Sequence, residues 1–184
     1  MLAINASIIP VSALGPAEYG FTASDLHTVI PTNCLCKYDN DTYLLVPSTN
    51  TQLISQELQH ISKWASANNL NLNKAKSQEM IVYLPQKRRN FSNPSTTIGI
   101  NRADKRNILG VTVSNTLTFS HHVTVLVEKC ARSLYALRII RDHGLAGNAL
   151  FDVAQATTVA QLLYASPAWW GFLETQEKNR LQCI

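Results

Sequence analysis

The hydrophobic and polar positions in residues 34–47 follow the pattern of two short strands joined by a polar tip. Strands favour aromatic and branched apolar side chains, whereas Asp and Asn favour turns because their side chains bond to nearby backbone. The pattern therefore predicts a β-hairpin that presents carboxylates at its tip. The tip consists of Asp39, Asn40 and Asp41, and the apolar and aromatic positions beside it are Leu35, Tyr38, Tyr43 and Leu45.

A helical pattern follows the hairpin. Polar residues that favour helix starts occupy positions 48–50, and two asparagines at positions 68 and 69 favour an end. Between them, apolar residues recur three or four positions apart, which is the spacing of one face of an α-helix. This spacing predicts an amphipathic helix of about five turns with Ile54, Leu58, Ile61 and Ala65 on its packed face.

The rest of the chain predicts strands first and helices afterwards. Short apolar runs predict a buried strand at residues 80–84 and a further pair of strands at residues 97–100 and 107–113. From His121 the spacing becomes helical until Gly144, and a second helical run covers residues 148–164. We therefore expect an α+β fold with a helical C-terminal third.

Composition narrows the function only a little. The chain has 184 residues, 46% of them hydrophobic, and a formal net charge of +4, which permits a polyanionic partner without requiring one. The first residues lack the pattern of a secretory signal, and the most apolar later stretch, residues 162–173, is interrupted by Pro167. We expect an intracellular protein without membrane contact. The sequence does not distinguish nucleus from cytoplasm.

The four cysteines do not show the spacing of a zinc site. Cys34 and Cys36 are two positions apart on a predicted strand, so their side chains share one face. We expect reduced, buried thiols rather than metal ligands at Cys34, Cys36, Cys130 and Cys183.

Two groups of charged residues suggest chemistry. Carboxylates on a rigid hairpin suit Mg²⁺, which supports phosphoryl transfer, although Asp and Asn also form ordinary solvated turns. Basic residues cluster near the middle of the chain, where they form either a nucleic-acid contact with salt-dependent affinity or a solvated surface. They are Lys87, Arg88, Arg89, Arg102, Lys105 and Arg106.

Five segments, taken in order, resemble the reverse transcriptase of non-LTR retrotransposons, the jockey-like lineage in particular. They are residues 7–16, 37–44, 70–77, 108–112 and 162–170. The resemblance implies an RNA-directed DNA polymerase that uses Mg²⁺ with an RNA template and a DNA primer. It also implies a partial right-hand palm in residues 1–118 and a helical thumb-like region in residues 119–184.

The resemblance assigns roles to individual residues. Ser12 and Gly15 lie in the segment that corresponds to the template and nucleotide loop. Asn40 and Asp41 correspond to the two aspartates of the Tyr-Ala-Asp-Asp hairpin, and Lys76 corresponds to a lysine proposed to assist at the phosphates. The strand that corresponds to the primer grip contains Leu109, Gly110 and Val111.

Departures from this pattern bear on activity. Asn40 replaces the metal-binding aspartate, Asp39 replaces alanine, and Pro10 and Val11 replace the Gln-Gly of the loop. The chain also starts after the early palm strand that carries the other catalytic aspartate and after the fingers, and its C-terminus looks truncated. Asp41 remains the one candidate metal ligand.

We therefore expect a polymerase fragment that does not bind Mg²⁺ productively and does not catalyse. Two alternatives stay open. One is a non-catalytic module that binds nucleic acid weakly and without sequence preference through the basic loop and the thumb-like helices. The other is a relic without selected function.

Overall fold

The computed structural model describes residues 20–38, 41–84, 94–97 and 99–184. The described residues combine helices with small two-stranded sheets, which agrees with a mixed α and β fold. The chain divides into two compact units, the first within Met1–Ser77 and Pro94–Asn101 and the second within Gln78–Asn93 and Arg102–Ile184. The division after residue 118, which rests on the resemblance to a palm and thumb, stays a prediction.

The first unit contains the predicted hairpin. Strand β1, Cys34–Tyr38, pairs antiparallel with strand β2, Asp41–Leu45, and the register places Tyr38 opposite Asp41. The prediction of a hairpin is therefore confirmed, with residues 39 and 40 falling outside the described residues. The two faces of the hairpin have different contacts. Lys37 lies on the face opposite to Cys36, and its Nζ donates to the backbone carbonyls of Ala23 and Leu26.

The cysteines correct one prediction. Cys34 and Cys36 share a face, as expected, but both are exposed, and so is Cys183. The alternation of a strand fixes which residues share a face, but it does not say which face meets the core. Only Cys130 is a buried thiol, and burial raises the pKa of Cys130.

Helix α1, Ile54–Ala67, confirms the predicted amphipathic helix. Ile61 and Ala65 are buried on its packed face. The predicted start needs correction, because Ser48–Leu53 form a 3₁₀ helix and no side chain caps the first turn of α1.

The described residues of the two strands predicted next along the chain, 80–84 and 97–100, do not form strands there. Strand β3 comprises only Gln78–Glu79, and residues 80–84 are irregular, with Val82 and Leu84 about half exposed. The backbone of Tyr83 donates instead to the carbonyl of Asn115. Residues 97, 99 and 100 are not in a strand either, and the short strand β4 is Asn101–Arg102.

The run predicted as one strand at residues 107–113 is a hairpin. Strand β5, Lys105–Ile108, pairs with strand β6, Val111–Ser114, and Leu109 and Gly110 form the turn between them. Both turn residues have positive φ, 47° for Leu109 and 84° for Gly110. This conformation suits a two-residue hairpin turn and explains why the apolar run reverses direction.

The helices follow the hairpin in chain order. Helix α2, Ser120–Asp142, is the long helix that the spacing predicted, and Gly144 follows it with a φ of 100°. Helix α3, Gly147–Ala154, continues through a π-helical turn, Gln155–Val159, into α4, Ala160–Leu163. Helix α5, Ser166–Trp169, a 3₁₀ turn, Trp170–Phe172, and helix α6, Thr175–Gln182, complete the chain.

One core unites the elements of the second unit. Strand β6 contributes Val111 and Val113, and helix α2 contributes residues on its inner face. Trp169 is 1% exposed at the centre, where the ring of His122 meets it edge-on with ring centroids 5.2 Å apart. The other buried members of this core are Phe119, Val123, Leu126, Cys130, Leu173 and Leu181. Among the described residues, no helix is both long and apolar enough to cross a membrane.

Candidate functional site

The hairpin of the first unit carries the candidate catalytic position. Asp41 opens strand β2 and is exposed, and the hydroxyl of Tyr43 donates to Asp41 Oδ2 at 3.4 Å. Tyr38, directly opposite, is 62% exposed. The structure therefore places Asp41 at the end of a rigid strand pair. Asn40, the other predicted residue of this motif, lies outside the described residues, as do Ser12 and Gly15.

A buried carboxylate holds the loop that leads into the hairpin. Glu57 of α1 is 0% exposed, and its two oxygens accept hydrogen bonds from the segment that leads into β1. The backbone N–H of Val29 donates to Oε2 at 3.0 Å, and that of Ile30 donates to Oε1 at 2.9 Å. Asn33 Nδ2 donates to Oε1 at 2.8 Å. Glu57 thus fixes the loop whose last residue precedes Cys34.

This environment changes the acidity of Glu57. Burial raises the pKa of the carboxyl group, but the hydrogen bonds from Val29, Ile30 and Asn33, together with the nearby charge of His60, outweigh burial. The net result is a pKa of Glu57 below its ordinary value. Glu57 is therefore a charged, fully bonded group inside the first unit. The sequence did not single it out, because a glutamate beside a helix's apolar stripe is usually solvated.

Further hydrogen bonds join the helical region to the loop before β1. Asn50 Nδ2 donates to Asn33 Oδ1 at 3.0 Å and to Thr32 Oγ1 at 2.6 Å. On the far end of α1, the indole of Trp64 donates to Asp25 Oδ1 at 2.9 Å. These bonds connect both ends of the helical region to the loop before β1. A network of polar contacts therefore holds the loop before β1 against the helical region.

The described donors do not form a Mg²⁺ site at the hairpin. Mg²⁺ needs several oxygen ligands in octahedral positions, and Asp41 is the one carboxylate that the described part of the two strands provides. Within residues 20–38, 41–84, 94–97 and 99–184, no group of three metal-ligating side chains of the His, Cys, Asp or Glu type comes together. Asp39 and Asn40 lie outside the described residues, so the expectation that Mg²⁺ is not bound productively at the hairpin stays a prediction.

Lys76 lies in an exposed turn of the first unit. Its backbone N–H donates to Asn73 Oδ1 at 3.1 Å and to the Asn73 carbonyl at 3.2 Å. The Asn73 side chain therefore stabilises the turn that contains Lys76. The role at phosphates that the resemblance assigns to Lys76 stays a prediction.

The residues of the predicted primer grip lie in the second unit. Leu109 and Gly110 form the tip of the β5–β6 hairpin, and Val111 is buried in the core. The hydroxyl of Tyr164 donates to the Leu109 carbonyl at 2.8 Å, and its ring covers Gly110 so closely that an added Cβ would lie 3.1 Å from Cε1. Tyr164 therefore positions the tip of this hairpin. One indication of this role came from the sequence, the location of Tyr164 in the resembling segment 162–170.

Two of the predicted basic residues already have acidic or amide partners. Arg102 forms an ion pair with Glu79 at 2.7 Å, and Arg106 donates to Gln78 Oε1 at 2.7 Å. Lys87, Arg88 and Arg89 lie outside the described residues. Helix α2 lies in the helical region that the sequence offered for nucleic-acid binding. Its four basic residues are exposed on different sides of the helix: Lys129, Arg132, Arg138 and Arg141.

Comparisons with known proteins identify no relative of the chain. No protein-family model matches it, and the searches of curated proteins and of solved structures found no similar protein.

Proposed function

We propose that this chain derives from the reverse transcriptase of a non-LTR retrotransposon and that the hairpin no longer supports polymerisation. The observation that carries the proposal is the antiparallel pairing of Tyr38 with Asp41, which leaves two residues between the strands. A Tyr-Ala-Asp-Asp motif in a β-hairpin needs this arrangement, because its tyrosine and second aspartate must face each other across the turn. The order of the five resembling segments supports the same ancestry.

The loss of activity follows from one position. In the resembling motif, the residue before Asp41 is the metal-binding aspartate, and here it is Asn40. An amide oxygen can coordinate Mg²⁺, but it contributes no negative charge against the cations and the triphosphate. Asp39 stands one position before the metal-binding position of the resembling motif, so it does not correspond to that ligand. The resembling enzymes use a further aspartate from outside this hairpin, and the other four resembling segments contain no aspartate.

Mn²⁺ titration monitored by ¹⁵N NMR tests the proposal at the hairpin itself. Mn²⁺ replaces Mg²⁺ at oxygen sites and broadens the signals of nearby amides. We expect no saturable broadening at the amides of Tyr38 and Asp41 in the unmodified chain, because a single carboxylate binds the ion only weakly. Asp41→Asn, which removes this carboxylate, is the matched control for non-specific effects. Saturable broadening that Asp41→Asn abolishes contradicts the proposal.

A second candidate function is non-catalytic binding of nucleic acid. Helix α2 carries four basic and two acidic residues, which gives it a formal charge of 4 − 2 = +2. Its basic side chains are exposed, and Arg141 pairs at 3.5 Å with its own neighbour Asp142. Such a surface would contact phosphates without reading sequence, so its affinity would fall steeply with salt.

Filter binding of single-stranded and duplex nucleic acid across a salt series tests this candidate. We expect the double variant Arg132→Gln with Arg138→Gln to weaken binding and to reduce the salt slope by about 0.7–0.9 for each phosphate that is no longer neutralised. The variant Lys63→Gln with Lys74→Gln removes the same charge from exposed positions of the first unit and should bind more tightly than the α2 variant. Absence of binding at low salt, or equal effects of both variants, excludes α2 as the binding surface.

The relic interpretation predicts poor solution behaviour. Tyr38 and Leu45 are mostly exposed on strands β1 and β2. Exposed apolar side chains promote association. A relic should therefore aggregate at moderate concentration in sedimentation measurements, whereas a monomer that unfolds cooperatively contradicts this interpretation.

A further inference from the structure

Two thiols lie together on one face of the first hairpin. The sulfur atoms of Cys34 and Cys36 are 3.9 Å apart, and both side chains are exposed. They share this face because side chains two positions apart on a strand point the same way. The proposed function uses neither thiol. The pair is therefore an accessible dithiol without an assigned role.

The strand geometry allows the two sulfurs to bond to each other. Residues two apart on a strand have Cα atoms about 6.6 Å apart, and disulfides span Cα distances of about 4.4–6.8 Å. The sulfurs are 3.9 Å apart and must approach to about 2.05 Å, so the side chains have to rotate before the bond forms. Because the Cα separation lies near the upper limit, the bond carries strain and is easily reduced. The geometry therefore favours a reversible bond over a permanent structural link.

An accessible pair of this kind suits thiol–disulfide exchange. A thiolate attacks a disulfide to form a mixed disulfide, and a second thiol beside it can then release the small partner. Accessible cysteines that lie next to such a resolving cysteine are typical of redox-responsive sites. We propose that Cys34 and Cys36 form a redox-active dithiol, which a disulfide of low molecular mass, such as glutathione disulfide, oxidises to an internal disulfide.

The exchange proceeds in two balanced steps. The hydrogen bond with Cys34, the charge of its sulfur and slight burial raise the pKa of Cys36, so Cys36 keeps its proton longer and Cys34 attacks first. A bond forms between Cys34 Sγ and one sulfur of the oxidant, and the other sulfur leaves as a thiolate. Cys36 then loses its proton and attacks Cys34 Sγ, which releases the second thiolate. The chain loses two electrons and two protons, and the oxidant becomes two thiols.

Mass spectrometry of the full chain in glutathione redox buffers tests the site. Trypsin cleaves after Lys and Arg, and the first of these residues is Lys37, so the peptide of residues 1–37 contains both cysteines. We expect this peptide to lose two hydrogens without gaining glutathione, and dithiothreitol should reverse the change. Cys183, exposed in the second unit, is the internal control. It should gain glutathione instead, because its neighbours in sequence supply no second thiol.

Serine variants separate the two thiols. Cys34→Ser and Cys36→Ser should each abolish the loss of two hydrogens from the peptide of residues 1–37. Cys36→Ser should stop at the mixed disulfide of Cys34 with glutathione, because the resolving thiol is missing. Cys183→Ser is the matched control and should lose two hydrogens from this peptide as the unmodified chain does.

Three results overturn the proposal. The first is glutathione on Cys34 or Cys36 of the unmodified chain without an internal bond, which means that the strand keeps the sulfurs apart. The second is a disulfide between two chains, seen as a dimer that a reductant separates. The third is an unchanged peptide of residues 1–37 in a sample in which Cys183 has gained glutathione, which means that the pair does not react.

Discussion

Replacement of Glu57 by glutamine tests how the hairpin is held in place. The carboxylate of Glu57 is fully buried and accepts hydrogen bonds from Val29, Ile30 and Asn33. Glutamine has nearly the same shape but offers one acceptor oxygen and an amide group that donates. If the oxygen keeps its contacts with Ile30 and Asn33, the new NH₂ group faces the backbone N–H of Val29. Two donors then meet in the interior without an acceptor.

The magnitude follows from these contacts. A hydrogen bond to a charged acceptor is worth about 1.5–3 kcal/mol, and a buried donor left without a partner costs about 1–3 kcal/mol. Glutamine weakens two bonds and removes the third, while the loss of the buried charge offsets part of the cost. We expect Glu57→Gln to lower the free energy of unfolding by about 2–4 kcal/mol, a large share of the stability of an ordinary domain.

Urea unfolding combined with amide hydrogen exchange measures this effect. The indole N–H signal of Trp64, which donates to Asp25, reports on the first unit by NMR. Exchange of the Val29 and Ile30 amides should become faster in Glu57→Gln by at least about tenfold, since each 1.4 kcal/mol corresponds to a factor of ten. Glu128→Gln, at an exposed position of α2, is the control and should change stability by less than about 0.5 kcal/mol.

The same residue predicts a pH dependence. Because the pKa of Glu57 is lower in the folded chain than its ordinary value of 4.5, the unfolded chain binds the proton first as pH falls. The contribution of Glu57 is therefore complete above pH 4.5 and is lost as pH falls through the folded pKa. Glu57→Gln should flatten the stability profile of the first unit in this range. Unchanged exchange at Val29 and Ile30, with an unaltered acid profile, would refute the reasoning.

The second unit offers further predictions. Gly110→Ala should destabilise it by about 1–3 kcal/mol in urea unfolding, because alanine disfavours positive φ and its Cβ meets the Tyr164 ring. Gly144→Ala, also at positive φ but with open space around it, should cost less, and equal costs would contradict the contact. Burial, followed by the charge of Lys129, lowers the pKa of His122. Thermal stability should therefore fall as pH drops from 6.5 through the folded pKa, and a fall of equal size in His122→Phe would contradict this.

The sequence predicted elements that local patterns determine. The hairpin at residues 34–45 followed from its Asp-Asn-Asp tip, and α1 and α2 followed from apolar spacing. The strand predictions that failed concern segments whose structure is not determined by their own hydrophobic pattern. Residues 80–84 are as apolar as a strand, but only Gln78–Glu79 form one, and the run at residues 107–113 reverses direction at Leu109 and Gly110.

The polar contacts that build the site could not be predicted from local patterns. Glu57 meets donors 24 to 28 residues away, and Tyr164 meets the Leu109 carbonyl 55 residues away. Strand alternation placed Cys34 and Cys36 on one face, but it could not say that this face is exposed. Asp41 and Tyr38 were predicted together because the tip chemistry and the register are local.

Primer extension on a primed RNA template, with Mg²⁺ or Mn²⁺ and all four deoxynucleotides, tests the central claim most directly. A complete reverse transcriptase serves as the positive control, and Asn40→Asp is assayed beside the unmodified chain. The account predicts no extension by either form, because Asn40→Asp restores one carboxylate, while the other four resembling segments contain no aspartate that could supply the second metal ligand. Extension by the unmodified chain, abolished by Asp41→Asn, would contradict the claim that the hairpin has lost its chemistry.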